Sequence, residues 1–98
     1  MRLTDSQQQH IREAVIGIFG TTADVYLFGS RVNDQNRGGD IDLYLEIDPV
    51  EGWFMRRIAL AVELEKRLGE QKIDLVLYRR DQEKKAIHFI AKDTGVKL

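Results

Sequence analysis

Residues 40–47 read DIDLYLEI, a stretch in which polar and apolar side chains alternate without a break. Alternation with a period of two predicts a β-strand, because successive side chains of a strand point to opposite faces of a sheet. The apolar side chains would pack on a core, and the other face would carry Asp40, Asp42, Tyr44 and Glu46. Acidic residues are poor strand formers and are costly to bury without a partner. Asp40 and Asp42 therefore either face water on a sheet surface that has no function or hold a cation between them.

Three segments of the chain have the pattern of helices. The first would begin at Thr4 or Asp5, where the sequence TDSQ has the spacing of a capping box, and would end at Gly20. The second follows DPVEG and would end at Gly69. The last would be capped by Asp81 and fray near KDTG.

Two further strands complete the predicted fold. ADVYLFG, residues 23–29, and KIDLVLY, residues 72–78, are short and rich in β-branched and aromatic residues. The order α-β-loop-β-α-β-α predicts an α/β (α+β) fold, a small mixed sheet backed by helices. Roughly ten residues join the first two strands, too few for a packed parallel crossover. These strands either pair antiparallel or are separated by a brief helix.

The helical spacing also predicts which side chains face the core. Trp53 is predicted to be a core residue rather than an anchor for a partner. On the second helix, the apolar positions form a wide stripe. The residues expected to face inward on the last two helices are Phe54, Ile58, Ala61, Val62, Leu64 and Leu68, followed by Ile87, Ile90 and Ala91.

Composition limits the classes of function. The 98 residues suggest one domain, residues 1–98. The 15 basic and 16 acidic residues argue against a dedicated nucleic-acid binder, whose affinity depends on excess positive charge. Cysteine is absent, no apolar run approaches the ~20 residues that span a bilayer, and the first ten residues do not resemble a signal peptide. We therefore expect a cytoplasmic protein without a membrane segment.

The residues between the first two strands add a second chemical signal. Gly29 and Ser30 follow the first strand at once, and glycine lets phosphate oxygens approach the backbone while serine adds a hydroxyl donor. Arg31 carries a guanidinium that suits a phosphate. Taken alone, Gly29 and Ser30 would form an ordinary turn, and Asp40 and Asp42 would be a solvent-facing acid pair without a function. Together they would bring a phosphate-binding site and a Mg²⁺ site within reach of each other.

GSR followed nine residues later by DID resembles the signature of the nucleotidyltransferase superfamily with the DNA polymerase β-like fold. The short chain, with KIDLVLY after its second long helix, resembles the minimal nucleotidyltransferases (MNT), which are commonly the antitoxin of a pair with a helical HEPN toxin. The resemblance implies that Gly29 and Ser30 hold the triphosphate of the incoming nucleotide and that Arg31 assists them.

The same resemblance implies the roles of three carboxylates. Asp40, Asp42 and Asp74 would ligate Mg²⁺, and Asp74 would also help to deprotonate the acceptor hydroxyl. Asp74 can join the other two on one face only if the third strand lies beside the second; otherwise it is an acid at a strand start that pairs with Lys72 or Arg79. Glu46 is expected to be solvated or salt-bridged rather than a ligand.

The reaction implied by the family is transfer of AMP from ATP to a tyrosine of a partner HEPN toxin, with release of pyrophosphate, within a hetero-oligomer. Two alternatives remain: an antitoxin that acts by contact alone, and a domain that binds a nucleotide without reacting. Gly39 stands where many relatives have serine, and Asn33, Asp34, Gln35 and Asn36 replace their usual loop, so the choice of nucleotide stays open. His10 and His88 show no spacing typical of a metal site.

Overall fold

A computed structural model describes residues 3–29, 40–69 and 71–98 of the chain. The described residues form three helices and four strands, which confirms the predicted small mixed α/β fold. The elements in chain order are α1 (Asp5–Phe19), β1 (Asp24–Phe28), β2 (Ile41–Ile47), α2 (Trp53–Leu68), β3 (Ile73–Arg79), α3 (Ala86–Thr94) and β4 (Val96–Lys97).

The strands form one sheet in the order β3-β2-β1-β4. β1 pairs antiparallel with β2, which decides between the two arrangements that the sequence left open. β3 pairs parallel with β2, since α2 supplies the crossover that a parallel pair needs. β4 pairs antiparallel with β1 and was not predicted, because two residues are too few to show an alternating pattern.

Each face of the sheet is covered by helices. α1 and α2 pack on one face, where the apolar side chains of β2 meet Ile11, Leu60 and Leu64, all almost completely buried. α3 packs on part of the opposite face, where Tyr44 is fully buried together with Tyr78 and Ala91. The alternation of residues 40–47 therefore separates the main core from a second face, which is buried under α3 at Tyr44 and Glu46 and partly open at Asp40 and Asp42.

The ends of the first two helices lie where the sequence predicts them. Thr4 and Gln7 form the capping box, with the Gln7 amide donating to Thr4 Oγ1 over 3.0 Å and the Thr4 amide donating to Gln7 Oε1 over 2.9 Å. Gly20 and Gly69 terminate α1 and α2 with positive φ angles.

The predicted start of α3 is wrong. α3 begins at Ala86, and its capping residue is Lys85, whose amide donates to Nδ1 of His88 over 3.1 Å. Asp81 instead lies in the turn after β3, where its carboxylate is 3.8 Å from Arg79 Nε. An acidic residue at a turn and one at a helix start have the same local pattern, and here the turn extends for several residues before the helix begins.

The predicted inward faces of α2 and α3 are also partly wrong. Leu60 and Leu64 are buried on α2, but Phe54, Ile58, Ala61 and Val62 are exposed. A helix that packs on one side of a sheet buries one stripe, and α2 carries two stripes of apolar residues spaced four apart. On α3, Ala91 faces the sheet with His88, whereas Ile87 and Ile90 are exposed. Trp53 packs against the core as predicted.

In the part of the chain that the structure describes, every helix is too short or too polar to cross a membrane.

Candidate active site

The acid face of the sheet is ordered in rows that run across the strands. Because β2 and β3 are parallel and in register, Asp42 lies directly beside Asp74. The antiparallel pairing of β1 brings Phe28 beside Asp42 from the other side. We call Phe28, Asp42 and Asp74 the acid row. The sequence left the position of Asp74 conditional on strand order, and the observed order brings it onto the face of Asp42.

The carboxylates of the acid row repel each other. Partial burial raises the pKa of Asp42, and the negative charges of Asp74 and Asp40 raise it further. The Asp42 and Asp74 carboxyl groups are also close enough to share a hydrogen bond, which again raises the pKa of Asp42. Such a pair gains stability from any cation that enters between its oxygens.

Asp40 stands slightly apart from this pair. It precedes β2, and its Oδ2 atom is 3.5 Å from Nζ of Lys72, with both side chains largely exposed to solvent. The amide of Ile41 donates to the Lys72 carbonyl over 3.0 Å, which holds the two strand starts together. Asp40, rather than Asp74, therefore has the contact with Lys72. An exposed ion pair of this kind contributes little free energy and exchanges readily.

Asp42 and Asp74 can supply two carboxylate ligands for Mg²⁺ but not a complete coordination shell. Across residues 3–29, 40–69 and 71–98, no three Asp, Glu, His or Cys side chains converge as a group that could hold a metal ion. Mg²⁺ is usually bound by one or two carboxylates together with water and substrate phosphates, so Asp42 and Asp74 are a sufficient protein ligand set. Asp40 would join them after leaving Lys72.

Gly29 lies beside the acid row and is required there for two reasons. Its φ angle is +77°, a conformation that side-chain-bearing residues rarely adopt. A Cβ atom at Gly29 would overlap a carboxylate oxygen of Asp42 and stand 3.0 Å from Asp42 Cγ. The Gly29 backbone therefore lies directly against the Asp42 carboxylate, which a Cβ atom at this position would displace. The predicted nucleotide-binding residues Ser30 and Arg31, like the loop residues 33–36 and 39, lie outside the described residues.

Glu46 shares the face of Asp42 but belongs to a separate buried cluster. Its carboxylate accepts a hydrogen bond from the Tyr44 hydroxyl over 2.9 Å and lies 3.1 Å from Lys92 Nζ and 3.4 Å from Lys84 Nζ. Burial alone would raise the pKa of Glu46, but the Tyr44 hydroxyl and the two ammonium groups outweigh it and hold this pKa below its ordinary value. Glu46 is thus salt-bridged, as predicted, and it ties α3 to the sheet.

The histidines have surroundings that suit packing rather than metal binding. His88 is buried between Tyr78 and Tyr44, with ring centroids 5.1 and 6.2 Å away. Burial lowers the pKa of His88, as do the positive charges of Lys85 and Lys84. His10 Nδ1 lies 3.4 Å from the guanidinium of Arg67 on the opposite side of the sheet.

Sequence reasoning missed two features next to the acid row. Phe28 is a neighbour of Asp42 through the β1–β2 register, which no local pattern reveals. The exposed apolar side of α3 was assigned to the core.

A cavity of about 90 Å³ between α1 and β1, lined in part by Arg12, Val15 and Leu98, lies on the other face of the sheet, away from the carboxylates.

A comparison with models of protein families found a match over most of the chain. Residues 13–96 match the family model described as Polymerase beta, Nucleotidyltransferase. The match spans all of the described strands except the final residue of β4. A search of curated proteins found no match to the chain.

Proposed function

The chain belongs to the Polymerase beta nucleotidyltransferase family, and we propose that it is a Mg²⁺-dependent enzyme that transfers AMP from ATP to a hydroxyl group. Membership of the family supports nucleotidyltransferase activity in general. The observation that carries the proposal is the pairing of Asp42 with Asp74 across two parallel strands, directly beside the close backbone approach at Gly29.

The residues have different roles in this scheme. Gly29, Ser30 and Arg31 would hold the triphosphate, and because Gly29 has no Cβ atom, the Asp42 carboxylate lies directly against its backbone. Asp42, Asp74 and, once free of Lys72, Asp40 would hold Mg²⁺, which when bound neutralises negative charge on the phosphates. Asp74 is exposed and so is open to an incoming acceptor.

The bond changes balance without a further reactant. Asp74 accepts the proton of the acceptor hydroxyl, whose oxygen forms a bond to the α-phosphorus of ATP. The bond between the α-phosphorus and the bridging oxygen breaks, and pyrophosphate leaves with that electron pair. The reacting groups must lie in line for this displacement.

The acceptor that we propose is a tyrosine of a helical HEPN toxin, which the transfer would inactivate in the cytoplasm. Its support is the resemblance of GSR, DID and KIDLVLY to minimal nucleotidyltransferases that act as antitoxins. In this scheme the two proteins form a hetero-oligomer, and the partner brings its tyrosine to the exposed Asp74 end of the acid row.

A contact-only antitoxin is the second candidate. The observation on its side is the ion pair between Asp40 and Lys72, because it holds outside the acid row one of the three carboxylates that the family resemblance implies for catalysis. In that case the chain would bind its partner without modifying it, and Mg²⁺ would have no effect on neutralisation.

Intact-mass measurement of the partner protein distinguishes the two candidates. A helical HEPN toxin, the partner that we propose, would be incubated with this chain, ATP and Mg²⁺. The wild-type chain should add one or more AMP units, and Asp42→Asn should add none, because it removes a ligand charge while changing little volume. Asp81→Asn, which makes the same change in an exposed turn, should behave as wild type.

Full transfer by Asp42→Asn would overturn the metal-site assignment. A tight complex without any mass gain, with each of the four ribonucleoside triphosphates, would favour the contact-only antitoxin.

A further inference from the structure

α3 crosses the strands of the sheet obliquely, from the level of Tyr78 and Glu46 at its start to the level of Leu27 and Leu43 at its end. Near its start, the His88 ring lies 5.1 Å from that of Tyr78 on β3. At its end, a Cβ atom on Gly95 would be 3.1 Å from the Leu27 carbonyl and 3.2 Å from the Tyr26 Cβ, both on β1. The helix therefore runs from β3 over β2 to β1, with one flank toward the acid row and the other away from it.

The flank that faces the acid row can be identified from the opposite one. Lys92 lies about 40° around the helix from His88, and its ammonium group contacts Glu46, four residues beyond Asp42 on β2. Ile87 lies about 100° from His88 in the other direction. Since Lys92 is on the Glu46 side, Ile87 is on the acid-row side, with 46% of its surface exposed. Ile90 is next to it, 57% exposed.

Two partly buried apolar side chains of the sheet lie on the face on which α3 packs. Phe28, itself in the acid row, and Val76, two residues beyond Asp74, are half-buried against the Tyr44 cluster on the same face. We call Phe28, Val76, Ile87 and Ile90 the apolar ledge. It starts at the acid row, and Val76 is about 6.5 Å along β3 from Asp74.

The reaction geometry decides which part of a nucleotide this ledge would meet. Gly29 at the end of β1, Asp42 on β2 and Asp74 on β3 succeed one another across the strands. If pyrophosphate leaves toward Gly29 and the acceptor arrives at Asp74, the line of displacement runs across the strands. The nucleoside is attached to the α-phosphorus and extends sideways from this line of displacement. The apolar ledge lies along one side of the same line.

We propose that the apolar ledge is the nucleobase subsite of the enzyme, in which the purine ring of the incoming nucleotide packs against Ile87 and Phe28. This inference rests on the proposed function, because it takes the direction of transfer from it. The four ledge side chains carry neither donors nor acceptors, and the Thr94 hydroxyl on the same flank donates to the Ile90 carbonyl over 2.6 Å. The ledge therefore binds a ring by its apolar surface and does not distinguish adenine from guanine.

Binding of a nucleotide and of a ligand that lacks the base tests the subsite. Affinities for Mg·ATP, Mg·GTP and Mg·tripolyphosphate would be measured by isothermal titration for the wild type and Ile87→Ser. The substitution should weaken binding of both nucleotides about tenfold, to a similar extent, and leave tripolyphosphate binding unchanged. Ile16→Ser is the matched control, since Ile16 is 48% exposed on α1, which packs on the opposite face of the sheet.

The possible outcomes separate the subsite from the proposed function. Unchanged nucleotide binding by Ile87→Ser, or an equal loss for tripolyphosphate, would overturn the subsite alone. A wild-type chain that binds none of the three ligands would overturn the proposed function and the subsite with it. An effect of Ile16→Ser as large as that of Ile87→Ser would also overturn the subsite, because the loss would then not depend on location.

Discussion

Replacement of Gly29 by alanine separates backbone strain from steric damage at the acid row. At φ +77° an alanine costs about 1–2 kcal/mol relative to an ordinary conformation. Removing a glycine also restricts the unfolded chain, which raises the free energy of unfolding by about 0.4–1 kcal/mol. The free energy of unfolding should therefore fall by about 1 kcal/mol from the backbone alone. For a chain of this size that lowers the melting temperature by about 4–8 °C.

The new methyl group has a second effect that the backbone does not explain. It would overlap the carboxylate of Asp42, which must then rotate or shift away from Asp74. A misplacement of about 1 Å at a reacting group can lower a rate about 100-fold. We therefore expect Gly29→Ala to lose about two orders of magnitude in the rate of AMP transfer.

Gly52→Ala is the matched control for this experiment. Gly52 has a φ angle of +72°, but an added Cβ there would meet no atom of the described chain within 4 Å. Both variants should lose similar stability in urea titrations, and only Gly29→Ala should lose transfer, as followed by mass gain of the acceptor. A Gly29→Ala chain that folds and transfers AMP within about threefold of the wild-type rate would refute the reasoning.

Two further predictions concern the fold. Glu46→Gln should lower the free energy of unfolding by about 1–3 kcal/mol at pH 7, because a buried, charge-assisted set of hydrogen bonds loses its charge. The pKa of Glu46 is lower in the folded chain than in the unfolded chain, where a glutamate has a pKa of about 4.3. The stabilisation by Glu46 is therefore complete above that pH and is lost as the pH falls below it, so the free energies of unfolding of the two chains, measured by urea titration, should converge in acid. A constant difference down to pH 3 would contradict the assignment. Leu64→Ala should cost about 2–5 kcal/mol and Val62→Ala less than about 0.5, measured in the same way, because only Leu64 is buried. Equal losses would mean that α2 packs through its other stripe.

Local patterns were sufficient for most elements of the fold. The alternation of residues 40–47 defined β2 and the face that carries Asp42, and the capping box of Thr4 with Gln7 defined the start of α1. These features depend on contacts within a few residues, so the sequence contains all that is needed to recognise them. The predicted start of α3 was wrong because an aspartate such as Asp81 is as favourable in a turn as at the start of a helix.

The faces of the helices were harder to predict, for a physical reason. α2 has two apolar stripes, and local periodicity does not say which one meets the sheet. The choice of Leu60 and Leu64 is made by the side chains of β2 and α1 that receive them. On α3, His88 and Ala91 are buried against the sheet and Lys92 contacts the buried Glu46, which leaves Ile87 and Ile90 outside.

By itself, the sequence determined which residues share a strand face and therefore that Asp42 points away from the main core. It also determined that a glycine precedes the acid pair, because the motif is local. Only the tertiary structure decided that Asp42 lies beside Asp74 and Phe28, that Asp40 contacts Lys72 and that α3 packs on the same face of the sheet. Strand register and helix rotation are set by contacts between residues far apart in the chain, and a one-residue slip would have moved Asp74 to the opposite face.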